Sequence, residues 1–220
     1  MYTLLKKHLR QQISKPESIL SPIIFFILVC FIFSLSQPDE IRNNFTNSLS
    51  VMLCSIILAY CIAITYIFEE DFSSGMLQLY YLNCDNKSDI VIAKIISTFV
   101  LNGLAFAFIF PVTSLFFRID SSIYQHIFIA ILCISILLSL ISVMIASLII
   151  GLKNGGIMAS IISLPLFLPV IITSISFFEG LIAGERSLTI FLQNVSALFL
   201  IYAPLAILSG TYCIKIATEE

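Results

Sequence analysis

Apolar residues in this chain gather into six long runs, roughly 19–36, 48–68, 91–117, 127–150, 157–178 and 188–214, parted by short polar stretches. At about 1.5 Å of rise per residue, each is close to or beyond the ~30 Å of a bilayer's hydrocarbon core. The pattern predicts six transmembrane helices in a single domain over 1–220. Ahead of them, Tyr2, Leu5, Leu9 and Ile13 recur at helical spacing, while Lys6, Lys7 and Arg10 fall on other faces. That predicts a basic amphipathic helix over 1–18, lying in the headgroup layer. Ser34-Leu35-Ser36 has the small-x-small form of a signal cleavage site. The apolar run before it is too long for a signal peptide, so it counts as the first span. Prolines fall inside the spans at Pro22, Pro111, Pro165, Pro169 and Pro204. Each removes a backbone donor, and Pro165 and Pro169, one turn apart, predict a bend in span five.

The longest polar interruption is Phe68–Lys94, some twenty residues where a handful would reverse the chain. Glu69, Glu70 and Asp71 close one apolar run, and Gly75 leads into a mixed segment, Met76–Leu82. Leu77, Tyr80 and Tyr81 lie on or near one face of a short helix, with Leu79 and Leu82 filling out its apolar side. The three carboxylates are expected at the start of that helix, where its dipole is positive. With the N-terminus inside, eight of the eleven Lys and Arg residues (Lys6, Lys7, Arg10, Lys15, Lys87, Lys94, Lys153, Lys215) face one side. Arg42, Arg118 and Arg186 face the other. The positive-inside rule then places both termini and the Phe68–Lys94 segment in the cytoplasm.

Composition agrees and narrows the chemistry. The chain is 59% hydrophobic and 11% charged, and its mean hydropathy is +1.07. That is far from the 45–50% apolar content of soluble domains. No basic cluster with interleaved aromatics points to nucleic acid. Six cysteines without a CxxC pair read as packing residues. His8 and His126 fall on opposite sides in this topology, so they cannot ligate one metal together, and both are expected at the surface. The spans carry no buried acid or base of the kind that couples ions to transport. Lys94, at the entrance of span three, is expected to snorkel outward. Asn102, Gln193 and Asn194 are expected as interhelical hydrogen-bond partners. The turn Gly151-Leu152-Lys153-Asn154-Gly155-Gly156 lacks the GxxxxGK[ST] spacing of a phosphate loop. Its glycines suit a tight turn instead. No nucleotide-binding domain is present in these residues.

Acidic residues, a glycine, a leucine-rich turn and a lysine opening span three resemble the coupling helix of export-type ABC permeases, which lies between spans two and three and receives an ATPase's motion. Residues 151–170, GLKNGGIMASIISLPLFLPV, with the span count, chain length and Asp71–Leu82 segment, resemble the CcmB family, haem exporter protein B of cytochrome c maturation. Asn83-Cys84-Asp85 stands where such permeases often carry proline, and Gln78 where many have Glu.

The resemblance implies an all-α polytopic membrane subunit without catalytic residues or a cofactor of its own. ATP and magnesium would sit on a separate ATPase, CcmA, and haem would be carried by partners CcmC, CcmD and the chaperone CcmE in the inner membrane. Two copies per complex are expected. The family picture has ATP hydrolysis releasing haem-loaded chaperone from CcmC; the absence of tryptophan here fits, since the Trp-rich haem-handling motif belongs to CcmC. Glu69, Glu70, Asp71, Gly75, Leu77, Leu79 and Leu82 are the expected ATPase contact, with Lys153, Gly155 and Gly156 as a second one and Pro165 and Pro169 as the bend. The alternatives are an export permease for lipid or drug, a structural anchor for the ATPase, and an ion-coupled carrier.

Overall fold

The computed structural model describes residues 8, 12, 16–36, 45–84, 86–117, 123–152, 154–182 and 188–219. Among them there is no strand. The expected interfacial helix over 1–18 lies outside the described residues, apart from His8, Gln12 and the residues from Pro16 on; His8 and Gln12 are helical. Lys153 and Asp85 also lie outside.

Six helices are long and apolar enough to cross a membrane, as the six runs predict. We number the helices in order: α1 (Glu17–Ser36), α2 (Phe45–Ser73), the short α3 (Met76–Asn83), α4 (Ser88–Thr98), α5 (Leu104–Phe116), α6 (Tyr124–Leu148), α7 (Gly155–Ile182) and α8 (Leu188–Glu219). Span three is α4 and α5 joined by a π-helical turn, Phe99–Gly103. There the Leu104 amide donates to the Phe99 carbonyl, five residues back. Gly103 permits this wide turn to pack closely, because a Cβ on it would stand 2.7 Å from the Phe99 ring and 3.1 Å from Ser135 Cβ on α6.

In hydrocarbon, backbone groups have no water to bond, so each span is a continuous helix. Prolines 165 and 169 both lie within uninterrupted α7, and the α8 residue Tyr202 donates to the Leu166 carbonyl between them at 3.0 Å. The central element is α6, which touches α2, α7, α8 and all three parts of span three. Its buried serines let neighbours approach, and two of them bond their hydroxyls within the helix: Ser139 Oγ donates to Ser135 O at 2.7 Å and Ser147 Oγ to Met144 O at 2.6 Å. Tyr60 of α2, fully buried, donates to that same carbonyl at 3.2 Å and meets Ser139 Oγ at 3.1 Å. Phe106 fills the space beside it, with ring centroids 5.5 Å apart, and packs edge-on against Phe26 of α1.

Three sequence expectations are corrected here. Gln193 and Asn194 are exposed on α8, not placed between helices of this chain, while Asn102 is buried in the π turn. Glu69, Glu70 and Asp71 do not open the short helix; they sit in the last two turns of α2, at the negative end of its dipole. Glutamate is a good helix former, so the hydrogen-bond ladder runs through the acidic triplet and stops only at Gly75, whose φ is 71°. Lys94, expected to reach outward, is buried.

Helix α8 comes close to α4 at Gly210, where a Cβ would lie 2.9 Å and 3.0 Å from the two methyls of Val91. Gly210→Ala is expected to cost about 1–3 kcal/mol by overpacking, and Val91→Ala in the same chain should recover most of it. Thermal denaturation of the purified protein in detergent, followed by circular dichroism, checks this double-mutant cycle.

Candidate functional site

The end of the bundle that carries α3 holds almost every polar group the sequence singles out. Helix α2 ends in a left-handed turn at Gly75, where the Gly75 amide donates to Phe72 O at 3.1 Å and Ser74 Oγ to Glu70 O at 2.6 Å. That turn folds the chain back so that α3 lies against α2 and α8. At its far end, Lys87 Nζ donates to the carbonyls of Tyr81 and Cys84, the latter at 2.9 Å, and stands 4.4 Å from the Tyr81 ring centroid. A cation on the last carbonyls complements the dipole and fixes where this eight-residue helix stops.

Two faces result. Leu77 and Tyr80 point inward and are buried; Leu79 and Leu82 point outward, 50% and 81% exposed. An isolated helix of this length is marginal in water, so the buried pair is what holds it. Of the residues proposed as a contact from sequence, Leu77 therefore supports α3 from within, and Leu79 and Leu82 are the ones presented.

The acidic triplet also divides. Glu69 is exposed, Glu70 half-buried and Asp71 1% exposed. Asp71 meets Lys94 of α4, with Nζ 2.6 Å from Oδ2, and Lys94 also donates to Ile67 O at 2.7 Å. Nδ1 of His8 stands 3.7 Å from the same Oδ2, and the His8 ring meets the Tyr80 ring edge-on at 5.0 Å. His8 is fully buried, not at the surface as expected. The Tyr80 hydroxyl is pushed up to about 12, by burial first and then by the negative charge of Asp71, with Cys84 and Glu70 adding to it. It stays protonated across physiological pH.

Beside this junction a cleft of about 360 Å³ opens between the end of α2 and the α6–α7 turn. Glu69, Thr65 and Phe72 line one side; Leu152, Gly155 and Gly156 line the other. The structure thus brings Glu69 together with Gly155 and Gly156, residues some ninety positions apart in the chain. Gly151 is the glycine this turn requires, whereas Gly156 has room for a side-chain carbon. Gly151 has φ 77° and a Cβ there would stand 3.2 Å from the Phe72 ring; one on Gly156 would lie 3.6 Å from Thr65 Cγ2. Among the described residues no cluster of three or more His, Cys, Asp or Glu could hold a metal. His126 lies at the start of α6, on the opposite end from His8.

Sequence reasoning missed Lys94, His8 and Tyr80 as partners of Asp71. The signal was an acid and a base at the same edge of two adjacent spans, since ionisable groups at membrane depth pair with one another.

Residues 1–215 match the family described as CcmB protein. The chain is 26% identical over 219 residues to heme exporter protein B of Pseudomonas aeruginosa, covering 99% of this chain and 97% of that one. It is 26% identical over 177 residues to heme exporter protein B of Haemophilus influenzae, 80% of each chain. To the protein of the same name from Paracoccus denitrificans it is 24% identical over 186 residues, 84% of this chain and 85% of that one. With six apolar membrane helices and a match running along nearly its full length, the chain belongs to the CcmB family of polytopic membrane proteins.

Proposed function

We propose that this chain is the membrane subunit of an ABC-type complex of cytochrome c maturation, seated in the inner membrane, which turns ATP hydrolysis on a soluble partner into release of a haem-loaded chaperone. Haem enters this reading through the relatives, which are named heme exporters. The coupling part is carried by one observation: α3 presents Leu79 and Leu82 on the same end of the bundle as the Glu69–Gly155–Gly156 cleft. An apolar ridge beside an acid-rimmed cleft suits a partner surface that offers an apolar groove and a basic side chain.

In this reading the α3 end faces the cytoplasm, which the distribution of Lys and Arg supports. The ATPase, CcmA, touches Leu79, Leu82, Glu69 and Glu70 through the first contact and the Lys153–Gly156 turn through the second. Two copies of each subunit assemble, and CcmC, CcmD and CcmE handle the haem. This chain supplies no catalytic group; its role is to be moved. ATP-driven closure of the ATPase pair displaces α3 and, through it, the spans.

Two tests follow. Leu79→Asp with Leu82→Asp changes only exposed side chains, so stability should move by no more than about 0.5 kcal/mol; co-purification of the ATPase should fall at least tenfold. Unchanged co-purification would remove α3 from the contact. Gly75→Pro forces φ to about −65° where 71° is needed and deletes the amide that donates to Phe72 O. Membrane insertion should persist, while holocytochrome c formed per ATP hydrolysed should collapse. In reconstituted vesicles, ATP-dependent chaperone release without haem flux is the expected outcome; flux would favour a transporter.

A further inference from the structure

Resting on that coupling reading, we propose that Asp71 and Lys94 are positioning residues that lock the end of α2, on which α3 packs, to α4, so that displacement of α3 together with that end reaches the π turn in the middle of span three. Asp71 ends α2 four residues before Gly75, directly behind α3. Lys94 is on the second turn of α4 and crosses to α2, where it holds both the Asp71 carboxylate at 2.6 Å and the Ile67 carbonyl at 2.7 Å. The Phe68 ring covers it, 5.4 Å from Nζ to centroid. The same carboxylate is approached by His8 from the N-terminal segment, and the His8 ring leans on Tyr80 of α3. Three segments thus meet at a single buried carboxylate, and α3 leans on it through His8.

Energetics say what such a junction is for. Removing both charges from water costs several kcal/mol per ion, and a well-packed apolar pair of similar volume is often as stable or more so. Leu or Met at these positions would therefore hold α2 against α4 equally well. What an apolar contact lacks is a single register: it slides, whereas an ion pair with a second bond to a carbonyl has one geometry. The pair also relieves the placing of a carboxylate at the negative end of α2.

The direction of transmission follows from α4. Its first two turns carry Ile90, Val91 and Lys94 into the core. Five residues beyond Lys94, about 7.5 Å along the axis, the helix opens into the π turn at Phe99–Gly103. That turn packs on Ser135 of the central helix α6 and encloses buried Asn102. Single π turns inside α-helices are frequently found at functional sites. With the ion pair in place, the end of α2 that carries α3 moves together with α4, and the π turn absorbs the difference against α5.

Three variants separate registry from mere stability. Asp71→Leu with Lys94→Met keeps volume and removes charge. It should accumulate and hold the ATPase as the native chain does, yet form at least tenfold less holocytochrome c per ATP. Asp71→Lys with Lys94→Asp restores an ion pair with each charge now matched to its helix end, and should regain most of the output. Asp71→Asn alone leaves a buried cation unpaired and should reduce accumulation. Hydrogen exchange of the purified chain, with no ATPase present, should show residues 76–98 exchanging at least tenfold faster in the apolar variant, with α6 unchanged. Full output from the apolar variant would overturn the proposal. So would a swap no better than the apolar variant, unchanged exchange over 76–98, or loss of the apolar variant from the membrane. If instead no ATPase accompanies the native chain, the coupling reading fails, while the exchange result still decides whether the two helices are locked.

Discussion

Hydrocarbon gives a polypeptide backbone no partner but itself, and every other feature of this protein is arranged around that constraint. Within the bilayer the answer is helices that satisfy their own ladders and serines that bond back to carbonyls three or four residues earlier, as Ser139, Ser147 and Ser174 do. Small residues on α6 then allow four other spans to close around it, with Tyr60 spending its hydroxyl on Ser135 and Ser139. Among the described residues, the end of the bundle that bears α3 is where the chain adds a helix beyond its simple spans.

That end is built in two layers. The inner layer is the buried anion of Asp71 with Lys94, His8 and Tyr80 around it. The outer layer is what those groups support: the exposed face of α3 and the cleft beneath Glu69. For the proposed coupling role, such a surface has to be firm enough to receive a push and apolar enough to bind. Leu77 and Tyr80 give firmness by burial, Lys87 by fastening the far end of α3, and Leu79 and Leu82 are left for a partner.

Much of this was legible in the sequence, and the failures have physical causes. The six runs mapped onto six helices because hydrophobic length is a strong signal in a bilayer. Gly75 was readable as a hinge, and the Gly151–Gly156 stretch as a tight turn. The acidic triplet was placed on the wrong helix because composition marks where apolar residues stop, not where a hydrogen-bond ladder stops. Lys94 and His8 were expected outside because each was judged alone, and only the fold shows that both reach Asp71. The π turn has no local signature at all; it follows from Gly103 meeting Phe99 and Ser135 across two helices. The exposure of Gln193 and Asn194 is equally a property of helix rotation, which span length does not specify.

The central claim is that the end bearing α3 faces the ATP-containing compartment. Leu82→Cys, at an 81% exposed position, can be probed with a membrane-impermeant maleimide in a chain whose native cysteines are replaced. Labelling in inverted inner-membrane vesicles but not in intact spheroplasts is the predicted result. Labelling in intact spheroplasts would contradict the account.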